Sequence, residues 1–133
     1  MNAHVKTVVE DCTKASDEAR LAFPQIVQNL MAAGIERYHA DLLRAEKTYY
    51  LADGGSHVVA NAPLDSTPAR AFSAAGVEAA VRASQAGQIT YKEFCARIAE
   101  AGCVDYIVSL AGRRAVYFGR TGESHVELFP SAK

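Results

Sequence analysis

Sliding this 133-residue chain against itself by 68 positions brings Gly54-x-Ser56-His57-Val58 onto Gly122-x-Ser124-His125-Val126 with no gap anywhere. The same offset sets Gly34 on Gly102, Tyr38 on Tyr106, Leu42 on Leu110 and Tyr49 on Tyr117. Upstream, Val9-Glu10 falls on Val77-Glu78 and Ala15-Ser16 on Ala83-Ser84, while Leu30 meets Ile98, Ile26 meets Phe94 and Tyr50 meets Phe118. Aligning 1–65 with 69–133 gives 14 identities in 65 pairs, roughly three times what composition alone supplies for so alanine-rich a chain. The glycines, tyrosines and histidines carry the inference. A repeat of this kind constrains the fold more than any single motif, because one supersecondary unit has to serve twice.

Each half reads as the same ordered elements. In the second half, Ser73 N-caps a helix behind a Phe72/Val77 staple, and Gly87 stops it. Thr90 and Glu93 form a capping box inside an Ile89/Phe94 staple and open a helix that Gly102 closes. Val104 to Leu110 alternates as a strand, Ala115 to Arg120 is the next, and Ser124 to Phe129 a third, ended by Pro130. The first half gives helices over about 3–16 and 24–33 and strands over 35–43, 47–52 and 56–60, with Asp53-Gly54-Gly55 as hairpin chemistry. Asn61 to Arg70, broken by Pro63 and Pro68, joins the halves. The expectation is a single domain, 1–133, made of repeat 1 (1–65) and repeat 2 (69–133). Its class is α+β, an internally duplicated helix-helix-strand-strand-strand unit with antiparallel sheet and pseudo-twofold symmetry.

A chain of this length buries roughly two thirds of its unfolded surface, and half of its residues are apolar. The net charge of -1 supplies no field for nucleic acid or an anionic membrane. No apolar run approaches a bilayer span, and acids interrupt the N-terminus where a secretory signal needs an apolar stretch, so a cytoplasmic location is expected. Cys12, Cys95 and Cys103 have no Cys-x-x-Cys spacing and read as buried, reduced hydrophobes.

Gly112-Arg113, Tyr117-Phe118-Gly119-Arg120, Gly122-Glu123, His125-Val126-Glu127 and Phe129-Pro130, with Tyr38-His39-x-Asp41 and Thr48-Tyr49-Tyr50, resemble the YbcV-like family of small uncharacterised bacterial proteins. Some relatives there carry the label "phage envelope protein". The resemblance implies a shared fold and brings no catalytic residues.

Strand alternation puts His125 and Glu127 on one sheet face, and His39 with Asp41 on one face of the first strand. A two-residue turn before Ser124 would add Phe118 and Arg120 to the histidine face, the Arg120–Glu127 pair lying across the strands. On an outer, solvated face these groups are ordinary ion pairs. Where the two faces meet, His39, Asp41, His125 and Glu127 make a divalent-metal site or an acid-base cluster. The repeat separates these readings: Gly, Ser and His recur in both hairpins, whereas Arg120 and Glu127 face Ala52 and Val59 in the first copy. The Gly-rich stretches match no phosphate loop, and Gly-x-Ser-His is no nucleophile elbow. The reading is a small binding or interaction module, a possible homodimer, with a small-molecule or protein ligand at Arg120, His125, Glu127, His39 and Asp41. No nucleic acid or membrane is expected, no metal is assigned, and the cofactor is left open. The alternative is a metal-dependent or acid-base enzyme around His125 and Glu127.

Overall fold

Alternation of apolar and polar residues at period two, next to helices with one apolar stripe, demands a sheet covered on one side. The computed structural model describes residues 1–130 and has that form. Its elements are α1 (Ala3–Asp17), α2 (Phe23–Ala32), β1 (Ile35–Asp41), β2 (Glu46–Leu51), β3 (Ser56–Ala60), α3 (Ala74–Gln85), α4 (Tyr91–Glu100), β4 (Cys103–Ser109), β5 (Arg114–Gly119) and β6 (Ser124–Leu128). The class is α+β, and no helix among the described residues is long and apolar enough to cross a membrane.

All three strand pairs, and α2 with α4, keep the 68-residue offset at both ends. The six strands form one antiparallel sheet in the order β3-β2-β1-β4-β5-β6. The halves meet at β1 and β4, where His39 pairs with Ile107, the residue 68 positions on. A local twofold axis therefore passes through that pair, and everything else is set outward from it.

One face is covered. Tyr38, Ala40, Leu42 and Tyr49 from the first half and Tyr106, Val108, Leu110, Ala115 and Tyr117 from the second point inward, each buried. Val9, Leu30, Val77 and Ile98 come down from the helices, each fully excluded from water. Burying a side chain of this size contributes about 1.5–3 kcal/mol, so the repeated apolar positions are the main stabilising term. The other face is uncovered, and Val58, Val126 and Leu128 stand exposed on it.

Local signals decide where elements begin and end. Thr90 Oγ1 accepts from Glu93 N and Glu93 Oε1 accepts from Thr90 N, the reciprocal box that starts α4. Ser73 Oγ accepts from Gly76 N at the start of α3. β1 stops at Asp41, two residues before the expected end, because Asp41 Oδ1 accepts from Leu43 N and Arg44 N and bends the chain. Its counterpart Ser109 uses its Oγ to accept from Gly112 N in the same way.

Gly102 has φ +88°, and a β-carbon there would collide with the backbone oxygen of Ala71, where the chain entering α3 crosses it. Gly54 has φ +94° with nothing within 4 Å. Gly54→Ala is therefore expected to cost only the left-handed backbone term, about 1–2 kcal/mol, and Gly102→Ala substantially more, because backbone must move as well. Urea unfolding of the two variants checks this, and equal losses would contradict it.

Candidate functional site

The face on which the histidine hairpin presents its side chains follows from the length of one turn. Gly119 N donates to Glu123 O and Gly122 N donates to Gly119 O, with Gly122 at φ +84°. Three residues, Arg120 to Gly122, thus separate the bonded pair. This is the three-residue hairpin with a left-handed glycine rather than the two-residue turn. One extra residue turns β6 over relative to that expectation. Tyr117 pairs with His125 and Ala115 with Glu127, while Phe118 pairs with Ser124. Phe118 is consequently on the opposite face from His125, and Arg120 stands exposed in the loop with no ion pair among the described residues.

His125 and Glu127 lie on the helix-covered face at the sheet edge, under α3. Glu127 is 8% exposed. Its Oε2 meets His125 Nε2 at 2.6 Å, and its Oε1 accepts from Arg82 Nη1 at 2.9 Å. Arg82 Nη2 also lies 3.8 Å from Glu78 Oε1, one helical turn back. The partner of Glu127 is thus Arg82, not Arg120. Glu78, His125 and Glu127 each offer one ligand atom, and these atoms lie within 4.8 Å of one another, a spacing that one divalent ion with N and O ligands can span. In the first half the counterparts of Glu78 and His125 are Glu10 and His57, which meet at 3.2 Å. The second half adds Glu127 where the first has Val59.

The other two predicted residues are elsewhere. His39 Nε2 pairs with Asp105 Oδ2 at 2.8 Å on the uncovered face, with the sheet between it and His125. Asp41 holds the turn after β1. The structure brings together only His125 and Glu127 of the five.

Sequence reasoning missed Lys47. It sits on the inward face of β2, 3% exposed, where the second half has Ala115. Its Nζ lies 4.1 Å from the centre of the Tyr91 ring and 5.6 Å from that of Tyr38, and it donates no hydrogen bond among the described residues. A π face attracts the ammonium but does not replace its water. Tyr91 OH bonds Tyr106 OH at 2.6 Å. Behind Tyr91 is a cavity of about 60 Å³, lined also by Asp17, Cys95 and the joining segment 62–66. Asp17 Oδ1 and Asn61 Oδ1 are buried without partners. The signal available in the sequence was the break in the repeat, a lysine where the matching strand has alanine.

Burial pulls the Lys47 ammonium down to about 8, opposed by the weaker influence of Cys95, Asp17 and Cys12. The three cysteines are free and buried, and burial pushes their thiols up, Cys103 to about 12. None is a thiolate nucleophile near neutral pH.

Between about pH 8 and the usual lysine range, the unfolded chain keeps a proton that folded Lys47 has released, so stability rises with pH across that window. Below it both states are protonated and the whole burial penalty is present. Lys47→Met should therefore stabilise the protein by about 1–3 kcal/mol at pH 7, with the gain shrinking toward pH 10. Urea unfolding of both proteins at pH 7, 8 and 9.5 reads this, and a gain independent of pH would contradict it.

Residues 14–127 match a family described as "protein of unknown function (DUF1398)". Uncharacterized proteins of Mycobacterium bovis and Mycobacterium tuberculosis are 32% identical to this chain over 113 residues, covering 84% of it and 68% of their own length. Neither the description nor these names carries the YbcV-like label or a phage-envelope role. On the extent of both matches, the chain belongs to the DUF1398 family.

Proposed function

We propose that this protein is a small binding module, built by internal duplication, whose ligand site is the Glu78/Arg82/His125/Glu127 cluster and whose best-fitting ligand is a divalent transition-metal ion. The observation that carries the reading is the trio of ligand atoms within 4.8 Å of one another under α3. Imidazole with two carboxylates suits zinc or manganese better than a hard, all-oxygen cation. Support for the duplication comes from the shared 68-residue offset of the strands and from the His57–Glu10 contact, which matches His125 and Glu78.

Arg82 gives the site two states. As it stands, the guanidinium holds Glu127 and approaches Glu78, so their charges are already compensated. Its side chain is half exposed and free to swing into water. A metal ion would take its place, so Arg82 acts as a built-in competitor.

The acid-base reading keeps the same residues: Glu127, bonded to one ring nitrogen, orients His125 for proton transfer through the other. The binding reading stands first because three ligand atoms converge at this point. His39, Asp41 and Arg120 have no part in it. The reading places the protein in the cytoplasm, in keeping with three reduced thiols. A second copy of the chain is retained as a partner, with the uncovered sheet face as its contact. Sedimentation that reads a monomer at all concentrations removes that element.

Zinc or manganese titration by calorimetry, on protein without a His tag, tests the proposal. One ion per chain is expected, His125→Ala should weaken it by about tenfold or more, and Arg82→Met should tighten it. No binding by either wild-type or Arg82→Met protein would overturn the proposal.

A further inference from the structure

The registers of the six strands lay out the uncovered face as rows running across the sheet. The middle row, from β3 to β6, is Val58, Thr48, His39, Ile107, Val116 and Val126. On one side of it the row through Tyr50, Arg37, Ser109 and Arg114 is basic. On the other side the row through Glu46, Asp41, Asp105 and Phe118 is acidic, with Arg44 in the turn offsetting Glu46 in part. None of these row positions is buried. The polarity arises where the repeat breaks. A step of 68 residues turns Arg37 into Asp105 and Glu46 into Arg114, so the local twofold exchanges the outer rows and reverses their charge. The same step matches the aromatics, Tyr50 with Phe118.

We propose that the occupant of this face is a second copy of the chain, related to the first by a twofold axis that runs along the middle row. This arrangement rests on the dimer contact proposed for the uncovered face and is independent of the metal site. Two copies of a sheet can stack face to face, strands aligned, about either of two in-plane twofold axes. With the axis along the middle row, each strand lies over its own copy and the outer rows change places. Arg37 then faces Asp41 of the second copy, the Ser109 hydroxyl faces Asp105, the Tyr50 hydroxyl faces Glu46 and Arg114 lies over the Phe118 ring. Each of these pairs occurs twice. The middle row meets itself, so Val58, Ile107, Val116 and Val126 make an apolar centre between charged flanks. With the axis along the strands instead, β1 lies over β4 and Asp41 meets Asp105, like charges that oppose association.

Area sets the strength of the contact. Strands about 4.8 Å apart and about five residues long, at about 3.4 Å per residue, give a six-stranded face of roughly 500 Å². Two copies then cover about 1,000 Å², the lower limit for a specific interface. The dimer is therefore a weak and reversible one, whose partner is selected by charge.

Sedimentation of the full chain up to about 1 mM, with thiol cross-linking, tests the arrangement. A concentration-dependent dimer is expected. Arg37→Glu, with melting temperature followed as a check on folding, sets a carboxylate opposite Asp41 and should weaken that dimer about tenfold or more; an unchanged dimer would contradict the pairing. Val58→Cys, on the edge strand, lies opposite its own copy at about the 10 Å spacing of stacked sheets. A short bismaleimide should join two such chains while the native cysteines stay buried. In the other arrangement Val58 lies opposite Val126 and about 24 Å from its own copy, five strand spacings away. Cross-links between Val58→Cys and Val126→Cys chains, but none between two Val58→Cys chains, would overturn the axis and keep the dimer. A monomer at every concentration would overturn both and leave the face to an unlike partner.

Discussion

The antiparallel pairing of β1 with β4 is the contact on which the rest of the structure depends. Each half alone is a three-stranded sheet with two helices, and its first strand would present an unpaired edge. Joining the halves at Tyr38–Val108, His39–Ile107 and Ala40–Tyr106 closes both edges at once and sets the inward tyrosines side by side. Tyr38 and Tyr49 approach to 5.2 Å between ring centres, and Tyr106 and Tyr117 to 5.1 Å, so each half brings the same aromatic pair to the junction. Aromatic pairs of this kind contribute about 0.5–1.5 kcal/mol beyond their burial. The remaining edges, β3 and β6, are pushed to the outside, and each carries one of the two recurrent histidines.

On that repeated frame the differences are chemical. The first half has Lys47 and Val59 facing inward on neighbouring strands, and the second has Ala115 and Glu127 at the same places. A lysine lies in one half of the sheet, on β2, and a glutamate in the other, on the edge strand β6, each buried and each without a counterpart. The glutamate has Arg82 and His125 for company, so its charge is compensated in place. The lysine has only π faces. Two different solutions to burying a charge on the same scaffold set the two sites apart.

The fold was legible because several signals agreed. Repeat, capping boxes, left-handed glycines and alternation all pointed to the same element order, and strand ends came out within one or two residues. The side-chain constellation was less legible for a specific reason. Whether a residue of β6 faces inward depends on one residue more or less in the hairpin, and Asp53-Gly54-Gly55 or Thr121-Gly122-Glu123 is compatible with either length. Arg82 and Glu78 join His125 only across the packing of α3 on β6, which no spacing in the chain encodes. Asp41, read as a candidate ligand, turned out to be a turn residue, a role its type fills commonly. Lys47 was passed over because a lysine in a strand reads as solvent-facing until the alternation is carried through from Tyr49.

Native-state amide exchange tests most directly the claim that β1 and β4 fuse two similar halves into one cooperative sheet. Amides of 37–41 and 105–109 should be the slowest, exchanging with the free energy of global unfolding, and protection should fall outward toward β3 and β6. Exchange at the β1–β4 junction with a lower free energy than within β1–β2 and β4–β5 would show two halves that open separately, and would contradict the account.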